Sequence, residues 1–222
     1  MKPFLENEKN IDKLNEMNKK IQKIIAPIWA VVGYCLLYFG FKYILKFIPD
    51  VKPWGAFDYE ALIFKKYDIY WIDIIYFIVG LIFFIHGALR LAGISAQNHS
   101  VRDEKTREPV SLLKDGYYRE VRHPMYGAFM LMQGGFFFSL RSLIGLVIVA
   151  VIIIIQNVNA IYEEKKKLIT MFGDEYISYM KQTKKKFATR CMFGYFIFGV
   201  VASVIGLIFQ GKVHIILLTF VK

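Results

Sequence analysis

The chain has 222 residues, 56% hydrophobic and 17% aromatic, with mean hydropathy +0.39 and net charge +11. Soluble domains are about 45–50% apolar, so the composition points away from that class, and the excess gathers in blocks long enough for the ~20 residues that cross a bilayer as helix. The cations lie between those blocks and form no separate soluble domain. That argues against a nucleic-acid partner and for a membrane protein facing anionic lipid or an anionic cofactor.

Residues 1–24 are charged but carry Ile11, Leu14, Met17 and Ile21 at helical spacing. The pattern predicts an amphipathic helix on the membrane surface, too polar to be a signal peptide. The segment 25–93 holds two predicted spans, at 25–48 and 69–93, separated by an aromatic loop at 49–67 suited to the interface. The segment 94–190 forms a core of three parts. They are a polar stretch at 94–122, a helical hairpin at 124–162 that breaks at Arg141-Ser142, and a basic stretch at 163–190. The segment 191–222 supplies a last span, 191–210, and a tail that either lies in the interface or extends that helix. The expected fold is therefore all-α, a multi-pass transmembrane protein of about five spans. Cys35 and Cys191 sit inside apolar segments without a CxxC pair and read as small core residues.

Lysine and arginine crowd the N-terminus, 94–122 and 163–190, while the hairpin turn carries only Arg141. The positive-inside rule then makes those three regions cytoplasmic and puts the C-terminus outside. Arg122-His123-Pro124 and Glu163-Glu164 fall at the same end of the hairpin, because its helices are antiparallel and similar in length. Proline suits the first position of a helix, and the positive end of the helix dipole beside Arg122 can hold a carboxylate or phosphate. The alternative is that Arg122 and His123 only mark the interface. Paired acids at a cytoplasmic helix end oppose the helix dipole, so Glu163 and Glu164 call for a partner. That partner is either a nearby lysine or arginine, or a ligand with donors.

The run L-L-K-D-G-Y-Y-R-E-V-R-H-P-M-Y (112–126), the apolar hairpin, E-E at 163–164 and L-I-T-M-F-G-D-E-Y-I-S-Y (168–179) resemble the isoprenylcysteine carboxyl methyltransferase family. That family belongs with the phospholipid methyltransferases, integral membrane enzymes that use S-adenosylmethionine. The likeness covers about residues 90–180, with R-L-A-G-I-S-A-Q-N-H-S (90–100) as a looser lead-in. The resemblance implies an S-adenosylmethionine site of Leu112, Leu113, Tyr118, His123, Tyr126 and Glu164. Arg122 and Pro124, at the helix start, would take the methionine carboxylate. Glu164 is preferred to Glu163 because it stands four residues before Leu168.

The chain departs from the family pattern in three places. Gly127 comes one position early, with Ala128 in the usual glycine position. The prolyl stretch that commonly follows the last tyrosine is replaced by KQTKKKFATR. Ala160 stands where an arginine is expected to face a substrate carboxylate, with Asn157 nearby. Residues four apart share a helix face, so Ala160 is expected to line the cofactor pocket without the charge. Asn157, Ala160 and Arg90 are the substrate-side candidates.

His86 and Arg90, four apart in the second span, are either functional intramembrane groups or, for Arg90, a snorkelling side chain. Asp73, near the outer end, is expected to be solvated. No metal motif is present. The resemblance implies methyl transfer to a lipophilic acceptor, an isoprenylcysteine-like carboxylate or another small lipophilic carboxylate or thiol. A phosphatidylethanolamine-type amine is the alternative, and Tyr126, His123 and Glu163 are the candidates to assist. Two further readings remain: an NADPH-dependent sterol-reductase-like enzyme, and a non-catalytic lipid-sensing membrane protein.

Overall fold

The computed structural model describes residues 25, 28–59, 62–103, 105–106 and 109–220. The amphipathic helix expected at 1–24 lies outside them. In chain order come α1 (Ile28–Leu45), β1 (Leu62–Phe64), β2 (Ile69–Tyr70), α2 (Trp71–His99), α3 (Tyr117–Glu120), α4 (Pro124–Ser139), α5 (Leu143–Glu163), α6 (Ile169–Gln182) and α7 (Arg190–Phe220). The two short strands pair antiparallel within the aromatic loop, an addition to the expected all-helical pattern.

Among the described residues, four helical stretches are long and apolar enough to cross a membrane: Ile28–Leu45, Trp71–His99, Leu143–Gln182 and Arg190–Gly211. The backbone of α7 continues as helix to Phe220, so the tail extends the last helix. α4, with 16 residues, reaches only about 24 Å at 1.5 Å per residue. It is buried on several sides, through Ala128, Met130, Leu131, Gly135, Phe136 and Phe138 among others. A helix that is apolar all round belongs in an interior or a membrane.

α4 packs most extensively on α2, and glycine makes that approach possible. A Cβ at Gly135 would lie 2.6 Å from the Gly80 carbonyl oxygen and 2.7 Å from Phe83 Cβ. Where α2 and α4 meet, Tyr34 of α1 packs on Phe77, Phe84 and Phe136 at ring separations of 5.4, 4.9 and 5.7 Å. α5 keeps Val147, Val151, Ile154, Ile155 and Val158 exposed. An outer face of that kind is suited to lipid.

The end of the bundle away from residues 122–124 is closed by an ion network. Asp73, expected to be solvated, is 0% exposed. It accepts from Lys42 Nζ of α1 at 2.7 Å, from Arg141 Nε at 2.9 Å and from the Tyr70 N–H at 2.9 Å. Arg141 also donates to Asp58 at 2.6 Å and to the Pro53 carbonyl at 3.1 Å. Burial pushes the Asp58 carboxyl up, and the Arg141 charge opposes that shift. Asp73 acquires partners from two other parts of the chain, and they replace water. Cys191 is also not a core residue; it is exposed on α7, while Cys35 is half-buried, and both are free thiols.

Candidate functional site

α5 does not end at the hairpin mouth. A π-helical turn, Glu164–Leu168, joins it to α6, so 143–182 is one helical run rather than a hairpin arm followed by a loose basic segment. The Ile169 N–H reaches back to the Glu164 carbonyl, the five-residue spacing of a π turn. α6 then bends at Gly173, whose φ of 50° is the left-handed region that glycine enters without a Cβ penalty. The bend follows Phe172 and precedes Tyr176 and Tyr179, all three of which line one cavity.

Facing this run is the start of α4. His123 is the N-cap and Pro124 the first helical residue, so the missing proline N–H costs no hydrogen bond. The Arg122 and His123 N–H groups donate to the Lys185 and Lys186 carbonyls at 3.0 and 2.8 Å, which ties the α6–α7 link to the α4 entrance. Gly127 touches the Phe187 carbonyl so closely that a Cβ there would collide with it. The early glycine of the motif therefore admits this backbone crossing.

The two glutamates grip one imidazole. His123 Nε2 is 3.0 Å from Glu164 Oε1, and Nδ1 is 3.5 Å from Glu163 Oε2. A carboxylate stands near each ring nitrogen, an arrangement that favours the doubly protonated ring. Burial lowers the His123 pKa, but the hydrogen bonds and charges of Glu163 and Glu164 outweigh it and hold the value above the ordinary 6.5. Arg122 Nε pairs with Glu164 Oε1 at 3.1 Å, although its N–H is not aligned with any acceptor among the described residues. The distance marks a Coulombic contact, and the direction of the N–H leaves a donor to spare. Two cations and two anions make the cluster neutral overall. His123 also stacks on Tyr126, with ring centroids 5.5 Å apart.

The cluster borders a cavity of about 250 Å³, near the lower end of the range for small-molecule sites, about 300–1,000 Å³. Leu112, Leu113, Tyr118, Arg122, His123, Tyr126 and Glu163 line it. Glu164 stands behind, buried against Arg122 and His123, so the glutamate that fronts the cavity is Glu163. Pro124 is buried in the α4 start and forms no wall.

The substrate-side candidates are not brought there. Ala160 is 0% exposed and adds nothing to the cavity wall, contrary to the shared-face expectation. Asn157 opens onto a separate groove. Arg90 lies over the Tyr117 ring at 5.4 Å, in a third, shallow site.

Asn98, Met125, Leu168, Phe172, Tyr176 and Tyr179 also line it, and Val101, Arg102, Pro109 and Ser111 complete the wall. Asn98 accepts from the Tyr118 hydroxyl at 2.6 Å, and Tyr179 donates to the Tyr118 carbonyl at 2.6 Å. Burial raises the Tyr118 pKa against that hydrogen bond, so the phenol stays a donor. The i, i+3 spacing of Tyr176 and Tyr179 was the signal available for that pair, since it puts both on one helix face. Asn98 gave none beyond its place in the 90–100 lead-in.

No protein-family model matches the chain, and no match was found among curated proteins or solved structures. The geometry by itself describes a helical protein with membrane-length apolar helices and a charged, aromatic cavity at one end of the bundle.

Proposed function

We propose that this chain is an integral membrane methyltransferase that uses S-adenosylmethionine and a lipophilic acceptor. α4 counts as a fifth, short span, with the N-terminus and the cavity cytoplasmic and the C-terminus outside. The observation that carries the reading is the neutral Arg122–His123–Glu163–Glu164 cluster beside an aromatic cavity at the mouth of an apolar hairpin. The resemblance over 90–180 supplies the reaction class.

The residues present fit the cofactor's mixed chemistry. Two buried side-chain polar atoms on the cavity-lining residues lack a hydrogen-bond partner among the described residues: the Tyr176 hydroxyl and Arg122 Nε. Arg122 would take a carboxylate, Glu163 an ammonium or hydroxyl, and the Tyr126, Phe172 and Tyr176 rings a planar base or a cationic sulfur. When bound, S-adenosylmethionine supplies a methyl group on a positively charged sulfur, ready for transfer to a nucleophile.

The chain's task is to orient the acceptor and exclude water. His123, held between two carboxylates, fixes the glutamates in place. Glu163, on the cavity wall, would accept a proton from an amine acceptor as a weak base, because His123 and Tyr126 hold its carboxyl below the usual range. A carboxylate or thiolate acceptor needs no base.

The test is calorimetric titration of S-adenosylmethionine into detergent-purified protein, with Glu163→Ala, Glu164→Ala and Tyr176→Phe. Saturable binding that Glu163→Ala abolishes and Tyr176→Phe weakens supports the reading. Binding unaffected by all three variants refutes the site. No binding to folded protein, followed by binding of NADPH, turns the assignment to a reductase.

A further inference from the structure

A groove of about 480 Å³ runs between the exposed apolar face of α5 and the link from α6 to α7, lined by Ile153, Ile154, Asn157, Lys185, Lys186 and Phe187. Its two halves differ in chemistry. Ile153 and Ile154 are exposed apolar side chains on the outer face of α5. Lys185 and Lys186 stand at the other end. Lys186 Nζ donates to Asn157 Oδ1 at 3.3 Å, an exposed hydrogen bond that holds its ammonium at the groove. Lys185 Nζ is 3.7 Å from the Glu120 carboxylate, a loose contact that leaves its donors available.

The backbone beneath both lysines is pinned by the Arg122 and His123 N–H groups. The link from 181 to 190 carries Lys181, Lys184, Lys185, Lys186 and Arg190 and no acid. Phe187 divides the groove from the cavity, its ring 6.1 Å from His123 and 6.5 Å from Tyr126.

We propose that this groove is a binding site for an anionic glycerophospholipid, with the phosphate on Lys185 and Lys186 and the upper part of an acyl chain along Ile153 and Ile154. The inference goes beyond methyl transfer and does not depend on it. Charge complementarity selects the head: two lysines on a fixed backbone stand in the α6–α7 link beside the exposed apolar face of α5, and basic residues next to a membrane surface attract anionic lipid. The continuous apolar floor selects a lipid over free phosphate, because only a lipid covers Ile153 and Ile154 as well as the lysines. Lysine at such a boundary lays its stem on apolar surface and holds its charge at the headgroup level.

The test uses the full chain in phosphatidylcholine nanodiscs doped with spin-labelled phosphatidylglycerol or, separately, spin-labelled phosphatidylcholine, reading the immobilised fraction. The wild type is expected to immobilise phosphatidylglycerol preferentially. Each lysine near anionic lipid is worth about fivefold, so K185Q/K186Q should lower that preference by roughly tenfold or more. Ile153→Trp fills the apolar half without touching charge and should also lower it, with Ile154→Trp as a second filling variant. K165Q/K166Q, on the exposed π turn, should leave it unchanged. A diffuse basic surface, not a site, is the conclusion if K165Q/K166Q acts as strongly as K185Q/K186Q, or if both filling variants are silent. Displacement of the labelled lipid by inorganic phosphate alone at low millimolar concentration also overturns the proposal.

Discussion

Arg141→Met removes the cation at the centre of the buried ion network while keeping much of the side-chain volume. The guanidinium is fully buried and holds Asp73 at 2.9 Å, Asp58 at 2.6 Å and the Pro53 carbonyl at 3.1 Å. At an effective dielectric of about 20, the contact with Asp73 alone corresponds to about 6 kcal/mol of Coulombic attraction. Desolvation cancels part of that in the intact network. The variant does not recover the desolvation, because Asp73 stays buried with only Lys42 to balance it. Breaking such a pair from one side costs about 3–5 kcal/mol. Arg141 has φ of 50°, and methionine inherits that backbone, so no strain is relieved. For a chain of this size the loss corresponds to roughly 10 °C in apparent Tm. The assay is thermal unfolding in detergent, followed by intrinsic fluorescence, on wild type, Arg141→Met, Asp73→Asn and the double variant. The double variant should lose less than the sum of the singles, since each single strands a charge that the pair removes together. A Tm shift of under about 2 °C for Arg141→Met, or strict additivity in the cycle, would show that the network is not the closure of that end.

Two further outcomes follow from other contacts. His123 has a raised folded-state pKa, so its bridges to Glu163 and Glu164 contribute fully below the ordinary 6.5 and fade as pH rises through the raised value. The stability gap between wild type and His123→Gln should therefore narrow as pH is raised from about 6, and a gap that widens contradicts the imidazolium assignment. Gly135→Ala drives a Cβ to 2.6 Å from the Gly80 carbonyl. The helices must part, at a cost of about 1–3 kcal/mol, visible as faster hydrogen exchange along α4; an unchanged exchange pattern would mean that α2 and α4 can separate freely.

The pattern of apolar blocks was legible without any tertiary information, because helix length and hydropathy are local properties. The four long apolar helices fall where those blocks lie, and α7 settles the tail as helix. The meeting of Arg122-His123 with Glu163-Glu164 was legible too, since a tight antiparallel hairpin with arms of similar length brings its two open ends together. Which glutamate faces the cavity was not legible. Motif spacing favoured Glu164, but the imidazole of His123 sits between the two acids and the π turn redirects the helix after Glu163, leaving Glu163 on the wall. Helix periodicity also misplaced Ala160, whose face is covered by other parts of the bundle. Asp73 reads as solvated in its own segment because its partners, Lys42 and Arg141, stand 31 and 68 residues away in the chain. Local sequence therefore determined which segments are membrane-like and which residues reach the hairpin mouth. Burial, charge pairing and the division between cavity and groove were decided by the tertiary structure, because each depends on which distant side chain replaces water.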